Sequence, residues 1–283
     1  MRDQTQEYYF SNALNYTFEQ LAEMHNTSFS GYFLPINMTP AQVADFWRIN
    51  QIDATRCVIM HDAHGAFVGM ARMGTRGTRG WCGGFGIIPA FRGTGASKIL
   101  ADEMIRVARD TGLTRLQLEV LSQNVPARKL YERIGFVVQR RLFGLEIATS
   151  ALPVSSALVL PVEKVSLETL LSWQPKRSLD HPYWGRELAS VLTIDAELFL
   201  LSGKDGGQNA FITQRLDDSM RIQAVLLQSQ CTDDELANLL LTVAADATQI
   251  QVRNEPEESP LLQRYLGLGF TEFFSQYEMS LPL

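Results

Sequence analysis

Cysteine and histidine are scarce in this chain of 283 residues, which contains three cysteines and four histidines. Three cysteines cannot all pair within one chain, and Cys57 and Cys82 lie in apolar runs typical of strands. We therefore expect buried free thiols in a reducing compartment rather than a disulfide framework. His61 and His64 crowd a tight turn and no third group of ligands accompanies them, so we predict no metal site.

Long apolar segments are also missing. The longest apolar-leaning segment, 147–162, is interrupted by serines and by Pro153 and Pro161, which excludes a membrane-spanning helix. Arg2 and Glu7 are followed by no apolar stretch, so we expect no secretory signal. These absences predict a cytoplasmic protein that does not associate with membranes.

Charge is divided unevenly along the chain. Residues 1–147 hold 16 Lys and Arg against 13 Asp and Glu, which leaves 9 against 18 in the remainder. The two parts therefore carry net charges of +3 and −9, in agreement with −6 for the whole chain. A basic part suits a polyphosphate ligand, whereas the acidic part is expected to repel both such a ligand and nucleic acid. A solvated surface of uneven charge explains the same numbers.

A glycine-rich turn that joins an apolar strand to a helix is the most informative stretch. The predicted strand ends at Pro89, and apolar residues recur with helical spacing in the predicted helix 98–111. Gly93 and Gly95 allow a tight turn, and the unpaired N–H groups at the start of a helix favour a phosphate. Arg92 can add a charge-assisted hydrogen bond to such an anion. The same pattern also fits a loop that only joins a strand to a helix.

The turn is not one of the common nucleotide-binding motifs. No Gly-Lys-Ser or Gly-Lys-Thr follows it, and the third glycine and downstream acid of a dinucleotide fingerprint are missing. A nucleotide-phosphate enzyme would also need a metal-binding acid near the turn, and none is evident in the sequence.

A second junction of a strand with a helix follows at residues 118–136. Pro126 lies in the first turn of the predicted short helix, and a glycine stops that helix. The junction carries Asn124 before the helix, Tyr131 within it, and Gly135 and Phe136 at its end.

Together the two junctions resemble the GCN5-related N-acetyltransferase (GNAT) family, over about residues 55–140. The phosphate loop of that family reads Arg or Gln, two residues, Gly, one residue, and Gly or Ala; Arg92, Gly95 and Ser97 stand at those places. Ser97 departs from the family's Gly or Ala but is also small. The second junction matches the family's other signature, an Asn followed by a helix that carries a Tyr and ends in Gly-Phe.

The resemblance implies an α/β (α+β) fold in which each domain has a mixed, mostly antiparallel central sheet flanked by helices. It implies acetyl-coenzyme A as the donor, a small-molecule or peptide amine as the acceptor, direct transfer and no metal. In this family the strand that enters the phosphate loop splays from the next strand, and the pantetheine arm pairs with its exposed edge. The glycines of that strand are then places where a ligand or another backbone approaches closely. The expected coenzyme contacts are Phe85, Gly86, Ile87, Arg92, Gly93, Thr94, Gly95, Ala96, Ser97, Lys98 and Asn124.

Two side chains are candidates for the proton transfers. By the same resemblance, Tyr131 protonates the departing thiolate and Glu119 takes a proton from the amine, directly or through water. A strand amide near Ile87 bonds the thioester oxygen. A packing role for Tyr131 and a surface or salt-bridged carboxylate at Glu119 are the alternatives. A sensor or scaffold that binds coenzyme A without turnover is the alternative function.

The end of the chain repeats the second junction. Residues 248–270 align with residues 114–136 at a constant offset of 134 positions (248 minus 114) without a gap. We interpret this as a tandem duplication. The signature positions that the repeat keeps are Pro260, Tyr265, Gly269 and Phe270.

The repeat does not keep the chemistry of the first copy. The counterpart of the phosphate loop, residues 226–231, has neither glycine nor arginine, and Arg253 stands in place of Glu119. We predict an acetyl-coenzyme A-binding domain at 1–148 and a degenerate GNAT-like domain at 157–283. The second domain would give structural support, form a wall of the acceptor site or provide an oligomer contact, which leaves a homodimer open.

Local patterns also predict the elements before the glycine-rich turn. Thr followed by Gln three residues later begins two helices, at about 18–27 and 40–51. The aromatic residues 29–37 lie between them, in the region that often grips the acceptor in the resembling family. The arginines of a later hairpin, Arg72 and Arg76 among them, are interpreted as a solvated turn rather than an anion site.

Overall fold

The computed structural model describes residues 7–153, 162–166, 168–169, 182–202, 208–227, 231–244 and 246–283. It divides into two compact units. Unit 1 comprises Met1–Gln139 and Tyr277–Leu283, and unit 2 comprises Arg140–Gln276. Each unit combines helices with one mixed, mostly antiparallel sheet, which confirms the predicted fold class.

The sheet of unit 1 has the order β1-β2-β3-β4-β5-β12. Strands β4 and β5 are parallel, and the pairs from β1 to β4 are antiparallel. Its strands are β1 (Tyr8–Ser11), β2 (Val58–Asp62), β3 (Phe67–Arg76), β4 (Arg79–Ile87), β5 (Arg115–Leu121) and the end of β12 (Thr271–Pro282). Its helices are α1 (Phe18–Ser28), α2 (Pro40–Asn50), α3 (Ala96–Asp110) and α4 (Val125–Arg133).

The sheet of unit 2 has the order β7-β8-β9-β10-β11-β6, which is the order of unit 1 strand for strand. A tandem duplication predicts this correspondence. Its strands are β6 (Val137–Ala148), β7 (Val162–Val165), β8 (Ala196–Ser202), β9 (Gln208–Leu216), β10 (Ser219–Leu227) and β11 (Gln249–Pro256). Its described α-helices are α5 (Leu188–Val191), α6 (Asp233–Ala244) and α7 (Pro260–Gly267).

The division into units differs from the boundaries predicted at 148 and 157. Residues 140–148 of β6 belong to unit 2, although they precede the predicted junction, and residues 142–148 pair with β11. Residues 277–283, at the end of the chain, belong to unit 1. The sheet of unit 1 is completed by the end of β12, which follows unit 2 in the sequence, and the sheet of unit 2 is completed by β6, which precedes the predicted junction. No single cut in the sequence therefore separates the units.

The two N-terminal helices follow from local capping. Thr17 Oγ1 accepts from Gln20 N at 3.3 Å, and Gln20 Oε1 accepts from Thr17 N at 2.9 Å. Thr39 and Gln42 repeat this capping box at the start of α2, where Pro40 occupies the first turn. Both helices lie within one residue of their predicted bounds.

Unit 1 buries apolar side chains on both faces of its sheet. On the α3/α4 face, Leu100 and Met104 of α3 pack with Tyr131 and with Met279 of β12. On the α1/α2 face, Leu21 and Val43 pack with strand residues such as Met70. These two faces are the reference for the site described next.

Candidate active site

A gap between two parallel strands lies at the centre of the site. Strands β4 and β5 pair only over Arg79–Cys82 and Arg115–Leu118. Residues 83–87 have no register partner in β5, so the splay that the resemblance implies is present. Gly83 is a one-residue bulge against β3, and such a bulge increases the local twist where the strands separate.

The edge of β4 that borders the gap carries backbone N–H groups. Ile88 N donates to Val68 O of β3 at 2.9 Å. Because only every second residue of an antiparallel strand bonds to a given neighbour, the N–H groups of Phe85 and Ile87 point towards the gap. Arg92 Nε donates to Ile87 O at 3.0 Å, so that carbonyl is already bonded.

The glycines of β4 make room for side chains of unit 1 itself. A Cβ on Gly84 would lie 2.4 Å from the guanidinium of Arg72, and one on Gly86 would lie 2.8 Å from Ser28 Cβ. At Gly86 the backbone oxygen of Ser28 also lies 3.3 Å from that Cβ position, so a second backbone does approach this glycine as predicted. At Gly84 the approaching group is the buried side chain of Arg72.

The glycine-rich turn has the backbone expected of an anion site. Gly93 and Gly95 adopt φ of 78° and 93°, in the left-handed region, and Gly95 is the N-cap of α3. The N–H groups of Gly93, Gly95, Ala96 and Ser97 have no hydrogen-bond partner within the described part of the chain. These amides meet the positive end of the α3 dipole, where an anion is stabilised.

The long side chains of the turn bond to the protein. Arg92 Nη2 donates to Ser28 O at 3.0 Å and to Ser30 O at 2.7 Å, which holds the end of α1 against the turn. Lys98 Nζ lies 2.6 Å from Asp102 Oδ2 in an exposed pair. Thr94 Oγ1 donates to Phe91 O at 2.8 Å. The predicted anion contacts therefore depend more on backbone amides than on these side chains.

Tyr131 lies in the core of the α3/α4 face with only 6% of its surface exposed. Its ring meets Phe85 edge-on at 5.9 Å and Phe136 at 5.8 Å between centroids. No described residue bonds its hydroxyl. Burial raises the pKa of Tyr131 well above its usual range, with smaller contributions from Cys82 and Tyr32, so the phenol keeps its proton at neutral pH.

Glu119 faces the opposite side of the sheet. Leu118 and Val120 belong to the α3/α4 core, so the alternation along β5 directs Glu119 to the α1/α2 face. Trp81 Nε1 donates to Glu119 Oε2 at 2.8 Å and orients the carboxylate at the point where β4 and β5 separate. The two predicted catalytic residues therefore flank the gap from its two faces.

Asn124, a predicted coenzyme contact, caps α4. Its Oδ1 accepts from Ala127 N at 3.3 Å. Its side chain also hydrogen-bonds to the Tyr32 hydroxyl, while burial raises the pKa of Tyr32. The structure thus brings Tyr32, from the aromatic segment after α1, to the residues around Tyr131. The sequence indicated an acceptor role for that segment but not this contact.

Arg72 is the residue whose environment sequence reasoning missed. It was assigned to a solvated turn, but it is 3% exposed and its guanidinium lies 4.5 Å from the Phe46 ring centroid. The signal was present in the alternation of β3, because Met70 lies two residues earlier on the buried α1/α2 face.

Unit 2 lacks the open helix start of unit 1. Thr232 N donates to Glu235 Oε2 at 2.9 Å, and Glu235 N donates to Thr232 Oγ1 at 3.2 Å, so a capping box closes α6. The first turn of α6 also carries Asp233 and Asp234, which repel an anion. Part of the loop counterpart, residues 228–230, lies outside the described residues.

The described residues contain no cluster of three or more His, Cys, Asp and Glu side chains that could hold a metal ion. Among the same residues, no helix is sufficiently long and apolar to cross a membrane. Cys57 and Cys82 are buried free thiols, as predicted, and Cys231 is half-buried.

The geometry defines an α/β domain in which unpartnered amides at a helix start adjoin a split parallel strand pair. Residues 18–136 match the acetyltransferase (GNAT) family. An uncharacterised N-acetyltransferase of Bacillus subtilis strain 168 is 40% identical over 52 residues, which span 18% of this chain and 33% of that relative. The match to the GNAT family covers residues 18–136, which is less than half of the chain.

Solved structures with the same fold extend over both units. A GCN5-related N-acetyltransferase from Sphaerobacter thermophilus has a TM-score of 0.69 at 12% identity, with 97% of this chain and 95% of that chain covered. A tandem GNAT protein from the clavulanic acid biosynthesis pathway has a TM-score of 0.68 at 10% identity, with 98% of both chains covered. At these identities the likeness concerns the fold.

Proposed function

We propose that unit 1 transfers an acetyl group from acetyl-coenzyme A directly to an amine. The observation that carries this proposal is the gap between β4 and β5, which opens beside four unpartnered amides and lies between Tyr131 and Glu119. Acyl transfer is the general chemistry of the family that residues 18–136 match. The donor, the acceptor class and the residue roles are the finer content of the proposal.

The donor would lie along two groups of backbone amides. Its pyrophosphate would accept from the N–H groups of residues 93–97, and its pantetheine arm would pair with the edge of residues 85–87. Beyond the turn, α3 and the end of α4 line an open pocket of about 400 Å³. Three cations line this pocket, Lys98, Arg109 and Arg133, and one carboxylate, Asp102, which pairs with Lys98. The remaining positive charge suits a phosphorylated nucleoside.

The two proton transfers would take place on opposite faces of the gap. Glu119 would accept a proton from the amine on the α1/α2 face, directly or through water, as the C–N bond forms. The N–H of Ile87 would stabilise the charge that develops on the thioester oxygen. As the C–S bond breaks, Tyr131 would donate its proton to the sulfur from the α3/α4 face. The Tyr131 phenol keeps its proton at neutral pH, as an acid must before it donates.

The transfer is tested by incubating the full chain with acetyl-coenzyme A and a panel of amines while free thiol is measured. We expect Tyr131→Phe to bind the donor normally and to slow transfer by about 10² to 10⁴, the usual contribution of a positioned acid. Tyr265→Phe is the matched control, because Tyr265 occupies the corresponding helix of unit 2 with its hydroxyl fully buried.

Three results distinguish the alternatives. Equal rates for Tyr131→Phe and the wild type, with an accepted amine, would assign Tyr131 to packing alone. Tight donor binding without thiol release for any amine would favour the sensor or scaffold. Absence of both binding and release would reject the proposal.

A further inference from the structure

A buried cation with no described carboxylate partner lies on the α1/α2 face of unit 1. The contacts of Arg72 are a carbonyl, a sulfur and a ring: Nη2 donates to Gly83 O at 3.3 Å, Nη1 lies 4.0 Å from Met38 Sδ, and Phe46 lies beneath the guanidinium. Its Nε has no hydrogen-bond partner among the described residues. Burial of a charge without a counter-ion is costly, and such groups are concentrated at functional sites.

Two more buried polar atoms near Arg72 are also unpartnered among the described residues. They are Ser28 Oγ and His25 Nδ1, on side chains 3% and 2% exposed. His25 Nε2 lies 2.7 Å from Ile36 O, and a carbonyl only accepts, so Nε2 carries the ring proton. Burial and the charge of Arg72 lower the pKa of His25 to about 4, which leaves Arg72 as the one cation of these three residues.

The arrangement places two donors beside two glycines on one face of β4. The Arg72 guanidinium covers Gly84 and the Ser28 side chain covers Gly86. Positions two apart on one face of a strand are separated by about 7 Å. A single carboxylate can bridge that separation with one hydrogen bond of about 2.8 Å to each donor.

The same face carries the proposed base. The Phe46 ring lies 6.0 Å from the Trp81 ring, and Trp81 bonds Glu119. One row of contacts therefore leads from Arg72 to the carboxylate that would accept the proton of the amine.

We propose that Arg72 and Ser28 bind a carboxylate of the acceptor, so that the acceptor class is amines that carry a carboxylate, such as free amino acids. This inference rests on the proposed function and specifies its acceptor. A carboxylate brings one negative charge to one buried guanidinium, whereas a phosphate brings about 1.5 to 2 charges that neutral His25 does not balance. The acceptor would reach these donors past segment 29–38, which has neither helix nor strand and whose Met38 is hydrogen-bonded by Asn26.

The test compares free amino acids with their amides as acceptors at saturating acetyl-coenzyme A. The wild type is expected to favour the acid about tenfold or more in kcat/KM. Arg72→Met should reduce the ratio to about one without changing the KM for acetyl-coenzyme A, and Ser28→Ala should reduce it partly. Arg76→Met is the matched control, because Arg76 lies on the same strand and donates through Nε to Gln51 Oε1 at 2.7 Å.

A second measurement does not depend on turnover. N-acetyl amino acids, the expected products, should raise the thermal midpoint of the wild type and of Arg76→Met but not that of Arg72→Met. The midpoint of ligand-free Arg72→Met should equal or exceed that of the wild type, since an apolar replacement of a buried charge is often neutral or stabilising.

The outcomes separate the two proposals. Equal use of acids and amides by the wild type, or an unchanged ratio in both Arg72→Met and Ser28→Ala, would overturn the acceptor assignment while acetyl transfer stands. A product-dependent shift that Arg72→Met abolishes, without thiol release from any amine, would support the carboxylate site and reject the transfer. A lower midpoint of ligand-free Arg72→Met, with the acid-to-amide ratio retained, would assign Arg72 to packing and overturn the proposal.

Discussion

Gly95 is required for its backbone conformation rather than for space. Its φ is 93°, and no atom lies within 4 Å of the place that a Cβ would occupy. A β-branched residue at that φ is strained, and relief of the strain turns the neighbouring amides away from their common direction. The proposed anion site therefore depends on this position even though a side chain would meet no obstacle.

Gly95→Val should weaken the binding of acetyl-coenzyme A by about 10- to 100-fold, the effect of losing a hydrogen bond to a charged group. Gly112→Val is the matched control, because Gly112 follows the other end of α3 with a φ of 79° and no atom within 4 Å. Both variants should lose about 1 to 3 kcal/mol of unfolding free energy through strain. Titration calorimetry measures the affinity, and equal affinities in the two variants would contradict the role of Gly95.

At the scale of elements, the last strand packs against the proposed donor site. Met279 of β12 is fully buried in the cluster that contains Tyr131 and the start of α3 at Ala96. Leu281, on the same strand, lies 3.2 Å from the position of a Cβ on Gly135, the glycine that stops α4. The orientation of α4 and of the predicted acid therefore depends on residues at the end of the chain.

Met279→Ala should lower the unfolding free energy by about 2 to 5 kcal/mol through cavity formation. It should also weaken donor binding, because the same cluster positions α3. Thr271→Ala, at the exposed start of the same strand, should change stability by no more than about 0.5 kcal/mol. Denaturant unfolding with and without acetyl-coenzyme A measures both effects, and a Met279→Ala protein as stable as the Thr271→Ala protein would show that β12 is dispensable.

At the scale of the whole molecule, two units of one topology differ in their helix starts. The turn before α3 presents unpartnered amides, whereas the start of α6 is closed by its capping box and carries three acidic residues. Net charge shows the same contrast, because residues 1–147 are net positive and the remainder of the chain is net negative. We propose that unit 2 has kept the fold for a structural role and has no donor site.

The full chain should therefore bind one acetyl-coenzyme A. Titration calorimetry of the wild type should give one site per chain, and Gly95→Val should weaken that site without exposing a second. Two equivalent sites, or a remaining site of the original affinity in Gly95→Val, would contradict the proposal for unit 2.

Features that depend on neighbours in the chain were predictable from the sequence. The capping boxes of α1 and α2, the left-handed glycines of the turn and the order of elements in unit 1 follow from residues a few positions apart. The alternation along β5 also predicts that Glu119 faces away from Leu118 and Val120. Short-range sterics and hydrogen bonding determine all of these features, so a local sequence pattern is sufficient to predict them.

Other features were decided only by tertiary structure. The bonds of Arg92 to Ser28 and Ser30, the burial of Arg72 and the place of residues 277–283 in unit 1 all join positions far apart in the chain. Periodicity indicates which face of a strand a residue occupies. It does not indicate which element covers that face or which side chains that element contributes. The partner of each buried charge is therefore settled only when distant segments pack together.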